Sequence, residues 1–257
     1  MPLPQTIKEI KAYQQPHDSI FSRLIYRKIS KVLTFYMLRW IPGISAPDVT
    51  IISFVVGLLG AVGLMYPAWW ARILAFIGIQ LSFAFDCSDG EIARMTGRGS
   101  KFGIWFDSIS DRTKEIVWFF AAACQLYWFA PVATNPGDWH VLLNGELGSS
   151  PWIIYLAGAA SLGNLLIGYL REAKKSIFLA ERKPEIILKS GLHIGTVDVI
   201  TFLLAFGALF GLNYYVLWIV LLPTPLLLAK QLWSTYSQSN KPNRQSTTAL
   251  VKVCDDE

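Results

Sequence analysis

Stretches of roughly 20 mostly apolar residues, the length that crosses a bilayer as a helix, recur along this chain of 257 residues. The first of them, VTIISFVVGLLGAVGLMY, carries no charged side chain. Charged residues make up only 16% of the chain, whereas a typical soluble domain has about 25%. These features predict an all-α integral membrane protein, because a helix satisfies its own backbone hydrogen bonds inside lipid.

The apolar pattern predicts six transmembrane helices in a single domain covering residues 1–257. Residues 1–45 would form a cytoplasmic and interfacial segment, residues 46–235 the six-helix bundle, and residues 236–257 a flexible cytoplasmic tail. Three glycines on one side of the first span predict close helix packing there: Gly57, Gly60 and Gly63. The predicted spans are Val49–Tyr66, Ala68–Arg94, Lys101–Ala130, Pro151–Phe178, Thr196–Leu212 and Tyr214–Trp233.

A different kind of helix is predicted before the first span. Apolar residues recur at helical spacing from Ile20 to Trp40. The opposite face carries basic side chains, namely Arg23, Arg27, Lys28 and Lys31. This pattern is typical of an amphipathic helix that lies in the membrane interface. An alternative is a helix that covers the cytoplasmic face of the protein itself.

The basic residues predict how the bundle is oriented. Every Lys and Arg except Arg72 lies before the first span, around the second-to-third or fourth-to-fifth connection, or near the carboxyl end. With six spans these segments share one side, which the positive-inside rule makes cytoplasmic. Both termini are therefore expected on the cytoplasmic side. The net charge of +5 indicates contact with anionic lipid or phosphorylated substrates, and nothing arranges it for nucleic-acid binding.

Four aspartates lie close together between two apolar runs, in the stretch FDCSDGEIARMTGRGSKFGIWFDSISD. Asp86 and Asp89 share one helix face, and Asp107 and Asp111 share another. The connection is short, so the two helices are predicted to be antiparallel neighbours whose acidic faces meet. Carboxylates that converge without cations repel one another, and hard divalent ions prefer such oxygens. We therefore predict that these four aspartates bind two Mg²⁺ (or Mn²⁺) ions, on the cytoplasmic side.

The residues around the aspartates fit a ligand that carries phosphate. Gly90 and Ala93 leave space beside the acidic face, and Arg94 can pair with phosphate oxygens. Taken singly, the small residues fit helix packing equally well, and Arg94 fits a helix end. Ser100 begins the third span, where it either donates to a phosphate or caps the helix. The set as a whole favours a bound phosphate group.

The motif D-x-x-D-G-x-x-A-R, followed after eight residues by G-x-x-x-D-x-x-x-D, resembles the signature of the CDP-alcohol phosphotransferase family. Pro47 and Thr50 in the stretch APDVT are similar to an element that enters the first span in many members, although Asp48 stands where Asn is frequent. The signature positions are filled by Asp86, Asp89, Gly90, Ala93, Arg94, Gly103, Asp107 and Asp111.

The resemblance implies a reaction in which a CDP-linked alcohol donates its phosphoalcohol group to the hydroxyl of a second alcohol and CMP is released. By the family pattern, Asp86, Asp89 and Asp107 hold one metal ion. Asp86, Asp107 and Asp111 hold the other, with Asp111 as the general base. It further implies six membrane helices behind an interfacial helix, and a homodimer. The expected contacts to the CDP moiety are Thr50, Asp89, Gly90, Ala93, Arg94, Ser100 and Gly103.

The sequence DGEIAR…SKFGIWFDSISDR is similar to that of members which use inositol phosphate or related polyol phosphates as acceptor. The expected donor is CDP-diacylglycerol, with a soluble CDP-polyol or a diacylglycerol acceptor as alternatives. Arg171, Lys174 and Lys175 are candidates for acceptor binding, although positive-inside anchoring explains them equally. Lys101 and Arg112 are placed comparably. Glu91 is expected either to bind acceptor hydroxyls or to face solvent.

A rival function from another class is ion or metal transport, because acidic residues inside a membrane often mark an ion path. Many transporters contain inverted repeats with broken helices near the midplane. Here the acids cluster at one end and have no counterpart in the second half of the chain. The sequence therefore favours an enzyme of phospholipid biosynthesis.

Overall fold

A computed structural model gives the architecture of the chain. The N-terminal segment contains α1 (Ile7–Ile10), a π-helical turn (Ser22–Tyr26) and α2 (Arg27–Trp40). Two-residue strands, β1 (Ile186–Ile187) and β2 (His193–Ile194), pair in antiparallel register. The remaining helices are α3 (Ala46–Leu64), α4 (Trp69–Thr96), α5 (Lys101–Phe129), α6 (Pro151–Phe178), α7 (Thr196–Phe210), α8 (Asn213–Leu221) and α9 (Thr224–Ser239). The structure describes residues 4, 6–14, 19–41, 43–129, 151–178, 186–187 and 193–239.

Four of the described helical stretches are long and apolar enough to cross a membrane. Helix α5 has the length, but Asp107, Asp111 and neighbouring charged residues make it too polar to qualify on hydropathy alone. Helix α7 is apolar but has 15 residues, fewer than the roughly 20 that span a bilayer without tilt or thinning. The membrane character is thus confirmed, while the count of six stays a prediction. The four stretches are Ala46–Leu64, Trp69–Thr96, Pro151–Lys174 and Asn213–Ser237.

The predicted sixth span, Tyr214–Trp233, is not one continuous α-helix. Helix α8 ends at Leu221, two residues form a turn, and α9 begins at Thr224. Pro223 explains the interruption, because proline has no N–H to donate and its ring clashes with the preceding turn. The hydroxyl of Thr224 donates to the carbonyl of Val220 at 2.8 Å, which bridges the break. The two helices together still form an apolar stretch of spanning length.

The basic face that was predicted for the N-terminal helix is wrong at one residue. Arg27 was predicted to lie on the basic face of this helix, but its side chain is buried against α4. The buried face of α2 is polar in its first half, where Ser30 and Thr34 are fully enclosed, and apolar in its second half, where Met37 and Leu38 pack against Val49 and Ile92. Large apolar residues remain exposed on the same segment, namely Leu24, Ile25, Val32, Tyr36 and Trp40. The segment therefore packs on the protein through both polar and apolar contacts and still leaves other apolar side chains exposed.

Helices α3 and α4 form the tightest packing contact of the bundle, and glycines make it possible. A Cβ atom on Gly60 would lie 3.0 Å from the backbone nitrogen of Ile79. A Cβ on Gly63 would lie 2.5 Å from the nitrogen of Ala75, and one on Gly78 would lie 2.6 Å from the Cα of Gly60. Distances below 3 Å leave no space for a side chain. The predicted close packing along the glycine face of the first span is confirmed.

The connections next to the aspartates have clear local causes. Helix α3 begins with a capping box, in which the Asp48 carboxylate accepts from both the backbone N–H and the hydroxyl of Ser45. Helix α4 ends at Gly97, whose φ of +65° is accessible to glycine without strain. Only four residues, 97–100, separate α4 from α5. The two signature halves therefore face each other across a short turn.

Candidate functional site

The aspartates of α4 and α5 converge at the ends of these helices that are joined by the Gly97 turn. Single carboxylate oxygens of Asp86, Asp89 and Asp107 all lie within 4.8 Å of one another. The predicted meeting of the two acidic faces is thus present. The predicted packing differs, because α3 packs against both helices while α4 and α5 make few backbone contacts with each other. The acids consequently reach across a gap between the helices.

The carboxylate oxygens of this group are suited to bind a metal ion. Asp86 Oδ1 and Asp107 Oδ1 are buried, and neither has a hydrogen-bond partner among the described residues. Buried carboxylate oxygens are costly without a partner, and a hard divalent cation is a suitable one for several such oxygens at once. The donor set is all oxygen, which matches Mg²⁺ or Mn²⁺. Asp86, Asp89 and Asp107 therefore fit one metal ion.

Asp111 lies beside this group and has a different partner. Its Oδ1 accepts from the ammonium of Lys114 at 2.9 Å, one turn along α5. The side chain of Asp111 is 27% exposed, whereas that of Lys114 is 3% exposed. Because Asp111 is both charged and reachable, it can accept a proton from a molecule that enters the site.

Lys114 is a site residue that the sequence reasoning missed. Its ammonium also lies 3.8 Å from Asp86 Oδ1 and donates to Ser53 Oγ of α3 at 2.8 Å. A Cβ on Gly57 would lie 2.9 Å from Lys114 Cδ, so the glycine makes room for the lysine stem. In the sequence Lys114 counted only as one more cytoplasmic cation. Its spacing of three residues from Asp111 was the available signal.

Thr50 contacts a carboxylate of the cluster. Its hydroxyl donates to Asp89 Oδ2 at 2.7 Å, and both residues are buried. Thr50 was predicted to touch the CDP moiety, and the structure places it where it orients Asp89. Asp48, the departure from the family pattern, lies at the start of the same helix as a capping residue. The element that enters the first span is thus tied to the metal motif through Thr50.

Three of the predicted CDP contacts line the end of α4. Gly90 and Ala93 are partly exposed and Arg94 is exposed. The guanidinium of Arg94 folds back over Gly90, where a Cβ would lie 3.2 Å from its Nη1. Arg94 Nε also donates to the backbone carbonyl of Tyr13. The arginine therefore lies between the N-terminal segment and the open side of the acidic face.

Ser100 and Gly103 form the first turn of α5. Ser100 Oγ accepts from the Gly103 backbone N–H at 2.9 Å, so the serine acts as a helix cap. The cap is thus observed, and donation from the Ser100 hydroxyl to a phosphate stays a prediction. Both residues lie at the same end of the helix as Asp107, and Ser100 is exposed.

Of the predicted acceptor-binding cations of α6, Lys174 is held by a contact to another helix. Lys174 Nζ donates to Ser234 Oγ of α9 at 2.7 Å, on an exposed surface. Arg171 is partly exposed. Lys175 belongs to α6, and its side chain lies outside the described part of the chain. Lys174 therefore fits the alternative role of anchoring better than that of a site residue.

Arg112 is held at the contact between α5 and α6. Its Nη1 donates to Glu115 Oε2 at 2.6 Å, and the same oxygen accepts from Asn164 Nδ2 at 2.8 Å. Glu115 and Asn164 are both buried. The sequence reasoning missed these two, although Glu115 follows Asp111 by four residues and so extends the same helix face.

The position of Glu91 differs from both roles that were expected for it. It is fully buried and neither faces solvent nor lines the acidic gap. Its two oxygens accept from Gln14, Arg27, Ser30 and Thr34 at 2.7–3.2 Å. Arg27 also donates to the Cys87 carbonyl at 3.1 Å. Glu91 thus fastens the N-terminal segment to the back of the helix that carries Asp86 and Asp89.

A sequence model described as CDP-alcohol phosphatidyltransferase matches residues 44–229, which include every signature position. The chain belongs to this family. The resemblance carried by the two-part aspartate motif is therefore confirmed. The match begins after α2, so the segment that fastens to Glu91 lies outside it.

Two curated relatives carry the name bifunctional IPC transferase and DIPP synthase. The protein from Aquifex aeolicus is 27% identical over 162 residues, which is 63% of this chain and 31% of the relative. The protein from Archaeoglobus fulgidus is 34% identical over 110 residues, which is 43% of this chain and 21% of the relative. The chain therefore spans about a third or less of the length of these relatives.

The fold is similar to that of solved crystal structures of Mycobacterium tuberculosis phosphatidylinositol phosphate synthase. The structure with CDP-DAG bound has a TM-score of 0.57 at 16% identity and covers 81% of this chain and 94% of that chain. The structure in complex with manganese and citrate has a TM-score of 0.57 at 15% identity, with coverage of 80% and 88%. At these identities the likeness establishes a shared fold.

Proposed function

We propose that this protein is a metal-dependent phosphotransferase of phospholipid biosynthesis. It moves a phosphatidyl group from CDP-diacylglycerol to a hydroxyl of a polyol phosphate such as inositol phosphate, and it releases CMP. The observation that carries this proposal is the convergence of Asp86, Asp89 and Asp107 within 4.8 Å in a member of the CDP-alcohol phosphatidyltransferase family. The solved structure with CDP-DAG bound supports the choice of donor.

The metal site would hold two Mg²⁺ or Mn²⁺ ions. Asp86, Asp89 and Asp107 would bind one, and Asp86, Asp107 and Asp111 the other. The buried oxygens of Asp86 and Asp107 that lack a hydrogen bond among the described residues support this sharing, as does the relative solved with manganese. When bound, such ions neutralise the pyrophosphate of the donor and make CMP a better leaving group.

The donor would lie along α4 and the first turn of α5. Arg94 supplies donors for phosphate oxygens, and Gly90 and Ala93 keep the helix surface low beside them. Thr50 acts through Asp89, whose carboxylate it orients at 2.7 Å. Ser100 and Gly103 would approach the nucleotide at the α5 turn, where the Ser100 oxygen accepts from Gly103 and its O–H remains able to donate to a phosphate.

Asp111 is the proposed general base. It takes the proton from the acceptor hydroxyl as that oxygen forms a bond to the phosphorus of the phosphatidyl group. The bond from this phosphorus to the bridging oxygen breaks, and CMP leaves with the electron pair. Lys114 holds the Asp111 carboxylate at 2.9 Å, so the base keeps its orientation while its exposed edge faces the acceptor.

The acceptor would approach from the side of α6, where Arg171, Lys174 and Lys175 are the proposed contacts. Among these, Arg171 lies three residues after Gly168, and Gly168 packs beside Arg112. Lys174 is the weakest candidate because it already pairs with Ser234. A polyol phosphate is the proposed acceptor because basic side chains on this side suit an anionic substrate.

We further propose the membrane arrangement predicted from the sequence. Six helices within residues 46–235 cross the bilayer behind an interfacial segment at residues 1–45, and residues 236–257 form a cytoplasmic tail. The active site and both termini lie on the cytoplasmic side, and the protein is a homodimer. The cytoplasmic placement rests on the basic residues, all of which except Arg72 fall on one side of this topology.

The test is a donor and acceptor screen on purified protein in lipid nanodiscs. Labelled CDP-diacylglycerol is incubated with inositol phosphate and other polyols, and CMP release is measured in Mg²⁺, in Mn²⁺ and after chelation. We expect CMP release that requires both the metal and the acceptor. Asp86→Ala serves as the inactive control, because it removes an oxygen donor shared by both proposed ions.

The same screen separates the competing functions. CMP release only from a soluble CDP-polyol, or only with diacylglycerol as acceptor, would replace the proposed substrates and keep the family reaction. An absence of CMP with every donor, together with cation flux into liposomes that contain the protein, would replace the enzyme with a transporter.

A further inference from the structure

The guanidinium of Arg112, the residue after Asp111, is fixed where α5 meets α6. Its side chain is 31% exposed, and one of its nitrogens is bound to Glu115 at 2.6 Å. A guanidinium has five N–H donors in a rigid fork. Most of these donors therefore remain for a ligand that reaches the exposed part of the side chain.

Two buried residues fix the orientation of this arginine. The Glu115 side chain is 5% exposed, and its Oε2 accepts from both Arg112 and Asn164. The contact joins α5 to α6, so the guanidinium cannot turn away without breaking a buried ion pair. Such restraint lowers the cost of binding, because less side-chain freedom is lost when the ligand arrives.

Helix α6 leaves space for the arginine at one position. A Cβ on Gly168 would lie 3.5 Å from the guanidinium carbon of Arg112, which means that the planar group lies against bare helix backbone. Gly168 is four residues after Asn164 and three before Arg171, so these three positions share a face of α6. Arg112 of α5 therefore packs on the face of α6 that also carries Arg171.

The contact of Arg112 with α6 lies beside Asp111, the residue that precedes Arg112. The proposed donor contacts belong to α3, α4 and the first turn of α5, whereas Arg112 lies nine residues after Gly103 and packs against Gly168 of α6. An in-line displacement needs the attacking oxygen and the leaving oxygen on opposite sides of the phosphorus. We therefore expect the attacking alcohol to bind on the side where α5 meets α6.

We propose that Arg112 is the residue that recognises the phosphate group of the acceptor, with Glu115 and Asn164 as its positioning residues. The acceptor is then a phosphorylated polyol rather than a neutral one. The phosphate pairs with the guanidinium fork over Gly168, and the reacting hydroxyl faces Asp111. This inference rests on the proposed function and adds the contact that selects the acceptor.

The test compares two acceptors, inositol phosphate and free inositol, with the full-length protein in nanodiscs. In Arg112→Gln we expect the KM for inositol phosphate to rise about tenfold or more, since a charge-assisted hydrogen bond is lost. The KM for CDP-diacylglycerol and the kcat/KM for free inositol stay unchanged. Arg112→Lys keeps the charge without the fork and falls between the two. Arg39→Gln, at an exposed arginine of α2, is the matched control.

Glu115→Gln tests the positioning role. It should raise the KM for inositol phosphate in the wild-type background and have no further effect in the Arg112→Gln background, because Glu115 acts only through the arginine. A glutamate that merely ties α5 to α6 would instead lower the melting temperature and impair both acceptors equally.

The inference is wrong if Arg112→Gln leaves the KM for inositol phosphate unchanged, or if it weakens both acceptors and the donor in parallel with a loss of stability. Wild-type CMP release in the same experiment would then keep the proposed function intact. If Arg112→Gln fails to fold, the acceptor preference of Arg112→Lys decides the question by the same criteria. If the wild-type protein releases no CMP with any acceptor, the function and this inference fall together.

Discussion

Lys114 places a permanent positive charge among carboxylates that also fit divalent ions. Its ammonium is within 4 Å of Asp86 and Asp111 and is bound by Ser53. Without metal, this lysine is the nearest counter-charge for the cluster among the described residues. If the two proposed metal ions are bound, the positive charge of Lys114 is added to theirs. The residue is thus expected to matter most for the metal-free protein.

We predict that Lys114→Met lowers stability strongly without metal and less with it. Removing one partner of a buried ion pair costs about 3–5 kcal/mol, because the other charge is left uncompensated. Bound Mg²⁺ takes over that compensation, so the rise in melting temperature on adding Mg²⁺ should be larger than in the wild type. Lys28→Met, at an exposed lysine of α2, is the control. An equal Mg²⁺-dependent rise in both proteins would contradict a counter-charge role.

Asp111→Asn tests the proposed base at the residue scale. The amide keeps the shape of the side chain but cannot take a proton, so kcat should fall by about 100-fold to 10,000-fold. Binding of CDP-diacylglycerol, measured by titration, should be largely retained. Asp48→Asn is the matched control, because asparagine can also cap α3. Retained turnover in Asp111→Asn would remove Asp111 from the chemistry.

At the scale of elements, the pairing of α3 with α4 positions half of the aspartate cluster. Helix α3 donates from Thr50 to Asp89 and accepts at Ser53 from Lys114. It lies so close to α4 that a Cβ would clash with backbone at positions 63 and 78. Any change that separates these two helices should move Thr50 away from Asp89. Packing far from the cluster therefore controls its geometry.

We predict that Gly63→Ala destabilises the protein by about 1–3 kcal/mol, the usual cost of overpacking a well-packed contact. Its methyl group would meet backbone atoms of Ala71 and Ala75 at 2.6 Å and 2.5 Å, which cannot rotate aside. Gly158→Ala is the control, because a Cβ there meets no described heavy atom within 4 Å. Thermal unfolding in nanodiscs compares them, and equal melting temperatures would show that the contact tolerates a methyl group.

The sequence predicted the helices and the aspartate cluster well, because both are written in local patterns. Apolar length marks α3, α4 and α6, and the spacing of Asp86, Asp89 and Asp107 marks the faces that meet. It failed where a residue's partner lies far along the chain. No local pattern around Glu91 predicts its contacts with Arg27, Ser30 and Thr34. Likewise, no pattern around Glu115 predicts its contact with Asn164. Basic residues were the hardest to assign, because the positive-inside rule explains them all alike.

At the scale of the whole molecule, the proposed sidedness can be measured with single cysteines. Pro67 and Gly99 are exposed residues in the turns at opposite ends of α4. In a background without native cysteines, a membrane-impermeant maleimide should label Pro67→Cys in intact cells and Gly99→Cys only after permeabilisation. The reverse pattern would place the aspartate cluster outside and refute the proposed orientation.

The enclosure of Glu91 has a consequence for where the smallest independently folding unit begins. The region recognised by the family model starts at residue 44, but the donors that neutralise this glutamate come from Gln14 to Thr34. A fragment that begins at residue 44 would leave the buried Glu91 carboxylate without these hydrogen-bond donors, which is costly. Glu91 lies on the same helix as Asp86 and Asp89. The folding unit is therefore expected to begin upstream of the family match, and the N-terminal segment is part of the structure that supports the aspartate cluster.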